Sequence, residues 1–262
     1  MSSPMIAASP ATRYFRPSAK PHRRPQSPYG LRVMDNCTNC SLRNSNFFCN
    51  LTERSTRDLQ CIKHLSSYPE GALLLMEGEE ARGVYLLCQG RVKLLATNSE
   101  GRTLILKIAN PGEMIGLSSV LTDTPSEITA ETLQPSQLAY VSHEDFLRYI
   151  REHSDACFQA AQHASRDCHL AYEGIRSIGL SNSASEKLAR FLVEWSAEGH
   201  VCEGEVRVKL ALTHEEIAQL IGCSRETVSR TLKEFKKQRF LEKKGSTLVV
   251  RNRSALESLA TN

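Results

Sequence analysis

The sequence of 262 residues lacks the marks of several protein classes. No stretch approaches the roughly 20 apolar residues that a membrane-spanning helix needs, and no apolar signal-peptide core stands near the N-terminus. Neither sign of charge dominates, because the formal net charge is only +4. Any interaction with a polyanion must therefore depend on where the charges lie. We expect a soluble, cytoplasmic protein of one or two domains.

The even set of cysteines that would indicate a disulfide framework is also missing. The chain has nine cysteines, and the cytoplasm keeps thiols reduced. Four of them fall close together, at Cys37, Cys40, Cys49 and Cys61. Four thiolates can hold an iron–sulfur cluster or a zinc ion, so these residues form a candidate metal site. The alternative is a set of free, redox-active thiols, and the other five cysteines are expected to pack as small apolar residues.

The first part of the chain has few large aliphatic residues. Residues 1–32 carry six basic residues and no acidic one, and the segment is rich in Pro and Ser. Such a segment buries too little apolar surface to offset the entropy of ordering. We predict a disordered basic tail over 1–33, either a solvated extension or a weak nucleic-acid tether. A cysteine-bearing segment over 34–62 follows it.

Residues 63–145 alternate short apolar runs with glycine turns. Seven of the 14 glycines lie between Gly71 and Gly116. Short strands separated by regular glycine turns are typical of an all-β sandwich, barrel or jelly roll. We predict strands at Ala72–Met76, Val84–Cys88, Val92–Leu95 and Leu104–Ile108, and a closing strand at Leu133–Val141.

Residues 146–180 are assigned to a dimerisation helix, which is expected to run from Ser154 to about Ile178 after a short helical piece at His143–Ile150. A stripe of small and apolar residues at coiled-coil spacing suits a partner helix, so we predict dimerisation along it. The alternative is a helix that packs on its own domain. The stripe consists of Ala161, Cys168 and Ile175, paired with Ala164, Ala171 and Ile178.

Residues 181–252 predict a winged helix-turn-helix unit. Thr213 and Glu216 form a capping box at the start of one helix, and Gly222 suits the left-handed turn that ends it. Ser224 can cap the next helix. The segment Leu241–Val250 would form the wing hairpin.

The second helix of this unit separates an apolar stripe from a polar face. Val228, Leu232 and Phe235 recur at helical spacing and are expected to be buried. In a helix-turn-helix, the first residues of this helix reach base edges, where Arg can bond guanine and Glu can accept from cytosine N4. The candidate DNA-contacting residues are Arg225, Glu226, Ser229, Arg230 and Lys233.

Two motifs carry a resemblance to a known family. Gly222-Cys-Ser-Arg-Glu-Thr-Val-Ser-Arg230 resembles the recognition-helix signature of the Crp/Fnr family of bacterial transcription regulators. Pro111-Gly-Glu-Met-Ile-Gly116 resembles part of that family's cyclic-nucleotide-binding-type β-roll. The resemblance implies an α+β fold with an N-terminal β-roll (jelly roll), a long dimerisation helix and a C-terminal winged helix-turn-helix. It also implies a homodimer, not an enzyme, that binds palindromic double-stranded DNA with TGA-core half-sites and works with RNA polymerase.

The residues that bind the cyclic phosphate in that family are replaced in this chain. The position of the family's Glu is Leu117, and that of its Arg is Glu127. A carboxylate repels a phosphate that a guanidinium would pair with, so we do not expect cyclic AMP binding. The β-roll is then an inert spacer, or it binds another small ligand at residues that the sequence leaves unknown.

The four clustered cysteines resemble the N-terminal cysteine segment of the Fnr-type branch, which carries an oxygen-labile four-iron cluster. The remote fourth cysteine of that branch falls on Ala139, so Cys61 would have to replace it, or Cys88 by folding back. The resemblance favours an iron–sulfur cluster over zinc. We predict a transcription regulator that responds to redox state or oxygen. The alternatives are a regulator with a small ligand in the β-roll, and a metal-binding or redox module whose helix-turn-helix only mediates protein contacts.

Overall fold

The computed structural model describes most of the chain beyond the predicted tail. Residues 1–28 and 32–33 of that tail lie outside the described residues, so its state stays a prediction. The backbone is described for residues 29–31, 35–44, 48–180, 183–197, 199–202 and 205–260, and the side chains for these residues except 44, 177–180 and 202.

The cysteine-bearing segment folds into two short 3-10 helices and one α-helix. The 3-10 helices are Cys37–Asn39 and Ser41–Asn44, and α1 is Glu53–Ile62. Thr52 caps α1 by accepting a hydrogen bond from the N–H of Ser55, which satisfies one of the donors that a helix start leaves unpaired. α1 has no apolar stripe from which it could be predicted, because its buried face holds two hydroxyl residues and a single leucine.

Two four-stranded antiparallel sheets form a β-roll in the described part of the chain, which confirms the predicted fold class. One sheet has the strand order β1-β8-β3-β6 and the other β2-β7-β4-β5. The strands are β1 His64–Tyr68, β2 Leu73–Leu75, β3 Gly83–Gln89, β4 Val92–Thr97, β5 Thr103–Ala109, β6 Met114–Ile115, β7 Thr129–Thr132 and β8 Ser136–Ser142.

The predicted apolar runs all overlap strands, but the closing strand begins later than predicted. β8 begins at Ser136, and Leu133 packs instead into the core of the C-terminal unit. β1 and β7 were not predicted, since both lack an apolar run and are held by pairing with β8, β2 and β4. A short helix, α2 (Leu117–Thr122), follows β6.

A short helix and a long helix follow the β-roll. They are α3, His143–Glu152, and α4, Ser154–Leu180, and His153 lies between them. One face of α4 is buried against the β-roll through Ala156, Ala160 and His163. Among the described residues, no helix combines the length and the apolar character that crossing a bilayer requires.

The C-terminal unit combines helices with a small antiparallel sheet of order β11-β12-β10-β9. Its last helix, which was not predicted, closes the core through the fully buried Leu256. The elements are α5 Ala184–Ser196, β9 His200–Cys202, β10 Glu205–Lys209, α6 His214–Ile221, α7 Arg225–Lys237, β11 Leu241–Lys244, β12 Thr247–Val250 and α8 Arg253–Ala260.

The β-roll and the C-terminal unit are in direct contact. Lys93 of β4 forms ion pairs with Glu131 of β7 at 3.0 Å and with Glu216 of α6 at 3.2 Å. The guanidinium of Arg91 lies over the ring of Trp195, 4.5 Å from its centroid. The start of the helix-turn-helix is therefore attached to a strand of the β-roll.

Candidate DNA-reading surface and cysteine pocket

Two helices and a tight turn form the candidate DNA-reading surface. The capping box of α6 is complete, because the Thr213 hydroxyl accepts from the N–H of Glu216 and the Glu216 carboxylate accepts from the N–H of Thr213. Gly222 ends α6 with φ of 64°, a left-handed conformation that glycine adopts without a side-chain clash. Ser224 caps α7 by accepting from the N–H of Thr227. The left-handed conformation of Gly222 thus defines the start of the turn, and the Ser224 cap defines its end.

The second helix, α7, presents a buried stripe and a charged outer face. Val228, Leu232 and Phe235 are buried in the core of the C-terminal unit. Four of the five predicted DNA-contacting side chains are exposed: Arg225, Glu226, Arg230 and Lys233. A helix with such an outer face can place its first turns against base edges and its lysines against phosphates.

The fifth predicted contact, Ser229, is partly buried and already engaged. Its hydroxyl lies 2.8 Å from Nδ1 of His214 at the start of α6. Burial lowers the pKa of His214, and the nearby cations Lys243, Lys236 and Arg225 lower it further. This role of His214 was not predicted, because no local pattern in the sequence shows that its ring faces α7.

Three of the four predicted metal-ligating cysteines share one cleft. Cys37, Cys40 and Cys49 line a small cleft, with a cavity volume of about 20 Å³, between the N-terminal segment and the β-roll. We name this cleft the cysteine pocket. Its other lining residues are Leu42, Arg43, Leu51, Thr56, Leu59, Leu86 and Cys88.

The fourth thiol that lines the cysteine pocket belongs to Cys88, not to Cys61. Cys61 is exposed on α1 and is not among the lining residues, whereas Cys88 on β3 is only 8% exposed. β3 pairs with β8, and Ala139 of β8 stands opposite Leu86. Cys88 therefore lies on the strand beside the position where Fnr-type chains carry their remote cysteine. Spacing along the chain favours Cys61, whereas strand pairing brings Cys88 to the pocket.

Burial and one lysine set the charge state of these thiols. Burial raises the pKa of Cys88 to about 12, and it also raises the pKa of Cys49. Nζ of Lys63 donates a hydrogen bond to Sγ of Cys37 at 3.0 Å, and its charge acts against the rise of the pKa at Cys49 and Cys88. Metal binding would have to release the protons of Cys49 and Cys88 at neutral pH.

The thiols of the cysteine pocket do not form a single-ion site. Within the described ranges, no group of three or more His, Cys, Asp or Glu residues is placed to hold one metal ion. A structural zinc site brings four ligands to about 2.0–2.3 Å from one point. The described arrangement therefore shows shared lining of one cleft and not a formed coordination site.

Other contacts occupy the positions that bind the cyclic phosphate in the Crp/Fnr family. Leu117 is buried at the start of α2. The Glu127 carboxylate accepts a hydrogen bond from the Ser118 hydroxyl at 2.9 Å. This corner of the β-roll therefore presents a carboxylate, which repels a phosphate.

The outer face of α4 exposes apolar side chains in the single chain. Phe158, Tyr172 and Ile175 are 61%, 63% and 66% exposed. Cys157 and Cys168 are exposed too, which corrects the expectation that they pack inside this chain. The side chain of Ile178 lies outside the described residues. The predicted seam residues on this exposed face are Ala161, Ala164, Cys168, Ala171 and Ile175.

Two protein-family models match the chain. A cyclic nucleotide-binding domain model matches residues 65–153, and a Crp-like helix-turn-helix domain model matches residues 186–259. The first match covers the β-roll and α3, and the second covers most of the C-terminal unit.

Curated proteins and solved structures that resemble the chain are transcription regulators. The cAMP-activated global transcriptional regulator CRP of Salmonella typhimurium is 26% identical over 190 residues, covering 71% of this chain and 89% of the relative. The structure of FixK2 from Bradyrhizobium japonicum matches with a TM-score of 0.68 and 25% identity, covering 76% of this chain and 97% of its own. The c-di-GMP-responsive global regulator CLP of Xanthomonas campestris matches with a TM-score of 0.67 over 76% and 99% of the two chains. At 22% identity, that last likeness shows the fold alone.

Proposed function

The chain belongs to the Crp/Fnr family of DNA-binding transcription regulators, and from this premise we propose that it is a cytoplasmic dimer that senses oxygen or redox state through its cysteine pocket. Members of the family bind DNA and typically act as dimers, and its relatives are regulators rather than enzymes. The observation that carries the sensing proposal is the convergence of Cys37, Cys40, Cys49 and Cys88 on one pocket.

The recognition helix α7 supplies the proposed base contacts. We assign to Arg225 a bidentate contact with guanine, and to Glu226 a carboxylate that accepts a hydrogen bond from cytosine N4. These two contacts suit palindromic DNA with TGA-core half-sites. Arg230 adds a second guanidinium, and Lys233 contacts phosphate. The Ser229 hydroxyl already forms a hydrogen bond with His214. It can therefore contact a base only through its remaining donor or acceptor positions.

The exposed face of α4 is the proposed dimer contact. Covering a large apolar side chain such as Phe158 or Ile175 is favourable by about 1.5–3 kcal/mol when burial is complete. Ala161 and Ala164 on the same face let two helices approach closely. A parallel pair of α4 helices related by a two-fold axis would present two α7 helices to successive major grooves about 34 Å apart.

The four thiols of the cysteine pocket fit the ligand set of an iron–sulfur cluster. Three come from the N-terminal segment and Cys88 comes from β3, so such a cluster would tie the segment to the β-roll. When bound, it supplies a redox-active, oxygen-sensitive group. The apolar walls, which include Leu59 and Leu86, limit the access of water to it. Zinc is the second candidate, and the resemblance to the Fnr-type cysteine segment places the iron–sulfur cluster ahead of it.

Loss of that group would release the N-terminal segment from β3. Because α1 packs between the cysteine pocket and the α3–α4 junction, its displacement would alter packing at the start of α4. A change along α4 would alter the spacing of the two recognition helices, which decides whether both enter successive major grooves. The proposed signal thus acts on DNA binding through the dimer.

Cyclic AMP is not the proposed signal, although the name of one relative describes it as cAMP-activated. Leu117 and Glu127 stand where the family binds the cyclic phosphate, and Glu127 is engaged with Ser118. Titration calorimetry with cyclic AMP is expected to show no binding. Micromolar binding would overturn this part of the proposal and favour a small-ligand signal in the β-roll.

Anaerobic purification with iron and sulfide analysis tests the sensing proposal. We expect coloured protein with about four irons per chain, and air should remove the colour and weaken binding to a palindromic TGA-core duplex in a gel shift. Colourless protein without iron or sulfide would overturn the cluster.

A salt titration of the same gel shift tests the DNA-reading surface. We expect binding to the TGA-core duplex to weaken steeply with salt, because phosphate contacts release counterions, and to exceed binding to random DNA. Equal affinity for both duplexes would overturn the reading surface. The family also implies RNA polymerase as a partner, and transcription from a template with this site would test that contact.

A further inference from the structure

A buried polar cluster joins α1 to the first turn of α4. The Ser55 hydroxyl donates to Oδ1 of Asp155 at 2.6 Å, and the N–H of Thr52 donates to Oδ2 of the same carboxylate at 2.8 Å. These partners are 100 and 103 residues apart in the sequence. Ser55 is only 1% exposed. The cluster is therefore a tertiary contact that is shielded from water at Ser55, whereas the Thr52–Asp155 bond is exposed.

The histidine between α3 and α4 extends the cluster. His153 is 7% exposed, with Nδ1 lying 3.1 Å from Oγ of Ser55 and Nε2 lying 3.2 Å from Asp58. Because the Ser55 hydroxyl gives its hydrogen to Asp155, Nδ1 of His153 is the donor to Ser55. The Tyr149 hydroxyl donates to the carbonyl oxygen of Ser55 at 2.8 Å. Ser55 thus has partners from the end of α3, the junction and α4.

The polar cluster and the cysteine pocket lie on two sides of one short helix. Thr56 and Leu59 of α1 line the pocket, whereas Ser55 and Asp58 of the same helix contact the cluster. A close-packed helix that is held on both sides cannot shift on one side without moving the other. A change in the pocket therefore reaches Ser55.

Asp155 is placed to pass such a movement to the dimerisation helix. It lies in the first turn of α4, ahead of the exposed seam that begins at Cys157 and Phe158. Burial acts to raise the pKa of Asp155, but hydrogen bonds from Ser55 and Thr52 outweigh it and lower this pKa. The carboxylate is charged at neutral pH, so losing these donors would weaken its attachment to α1.

We propose that Ser55, His153 and Asp155 are positioning residues that transmit the state of the cysteine pocket to the start of the dimerisation helix. Their regulatory meaning rests on the proposed function, whereas the mechanical coupling does not depend on what the cysteines hold. We name these three residues the α1–α4 latch.

Amide hydrogen exchange of the full chain tests the coupling without any cluster. Leu59→Ala disturbs the pocket side of α1, and we expect it to accelerate exchange over residues 154–165 by at least about threefold. In an Asp155→Asn background, exchange there is already faster, and adding Leu59→Ala should change it by less than about 1.5-fold.

Asp145→Asn is the matched control for Asp155→Asn. Asp145 at the start of α3 accepts a hydrogen bond from the Ser142 hydroxyl at 2.6 Å, the same kind of contact outside the latch. In this background the response to Leu59→Ala should keep its full size. Equal responses in the two backgrounds would overturn the latch. Should Asp155→Asn fail to fold, Ser55→Ala, which retains the bond from Thr52, gives the same comparison.

DNA affinity separates failure of the latch from failure of the proposed function. In protein with its cluster assembled anaerobically, Asp155→Asn should reduce the affinity ratio between loaded and iron-free protein by about two- to thirtyfold at unchanged iron content. An unchanged ratio at full iron content would overturn the regulatory role. Parent protein without iron would overturn the proposed function, while hydrogen exchange would still decide the coupling.

Discussion

The recognition helix and the cysteine pocket are built in opposite ways from the same chain. The ends of α6 and α7 are held by contacts between near neighbours, such as Thr213 with Glu216 and Ser224 with Thr227. The pocket collects Cys37, Cys49 and Cys88 from a 3-10 helix, a loop and a strand. A unit made of local contacts keeps its shape as a rigid reader. A pocket assembled from separate elements can respond to the group that ties them together.

The two regions also differ in their electrostatics. The charged groups on α7 are exposed, so dissolved salt screens their attraction to phosphate. The thiols of Cys49 and Cys88 are buried, and their raised pKa values make metal binding release protons. We therefore expect ionic strength to control the reading surface and the pocket to depend on pH and metal supply.

The largest expected effect distinguishes pocket geometry from cysteine spacing. Cys88→Ala should lower iron incorporation under anaerobic conditions by at least about tenfold, since even contacts outside the ligand shell cost that much at metal sites. Cys61→Ala is the matched control and should keep its iron, because Cys61 is exposed outside the pocket. Iron analysis with the reverse result would show that chain spacing, rather than strand pairing, selects the fourth ligand.

The next effect concerns the reading surface. Arg225→Ala should cost about 1–3 kcal/mol of binding free energy at a TGA-core duplex, because a bidentate contact to guanine is lost. Binding to random DNA should change much less. Arg148→Ala, which removes an exposed arginine from α3 in the sensor half, is the control for charge alone. Equal losses for the two variants in fluorescence anisotropy would remove Arg225 from the set of base contacts.

A smaller effect tests the local construction of the reader. Gly222→Ala should lower the free energy of unfolding by about 1 kcal/mol, because alanine is strained at φ of 64°. Gly174→Ala in α4 is the same chemical change in an open helical position, and it should raise stability by about 0.5–1 kcal/mol. Denaturant unfolding of both variants measures the difference. Shifts of the same sign would contradict the assigned role of Gly222.

The smallest expected effect is a pH dependence in the reader. The pKa of His214 is lowered below its ordinary value of 6.5, so the unfolded chain binds this proton more readily than the folded one. The stabilising contribution is full above about pH 6.5 and is lost as the pH falls through the folded pKa. His214→Asn should reduce the change in the midpoint temperature of thermal unfolding between pH 7 and 5. His169→Asn, at an exposed site, should leave that change as it is in the parent. Equal pH slopes for the parent and His214→Asn would exclude this role.

Periodic elements were predictable from the sequence, whereas elements without an apolar pattern were not. The runs at Val84–Cys88 and Leu104–Ile108 fall within strands, because short apolar runs between glycine turns are a local strand signal. α1 escapes prediction because its buried face is mostly hydroxyl, paired with partners about 100 residues away. Ser229 was assigned to DNA from its place on the helix, but only the fold shows its bond to His214.

By itself, the sequence determined the order of the domains and the reading helix. Capping residues, the Gly222 turn and the Val228–Phe235 stripe act within one or two helical turns. Over that range, residues that are close in the sequence are also close in space. The tertiary structure alone decided that Cys88 rather than Cys61 lines the pocket and that Ser55 meets Asp155. Strand pairing and helix packing join residues whose separation in the sequence carries no information about their distance in space.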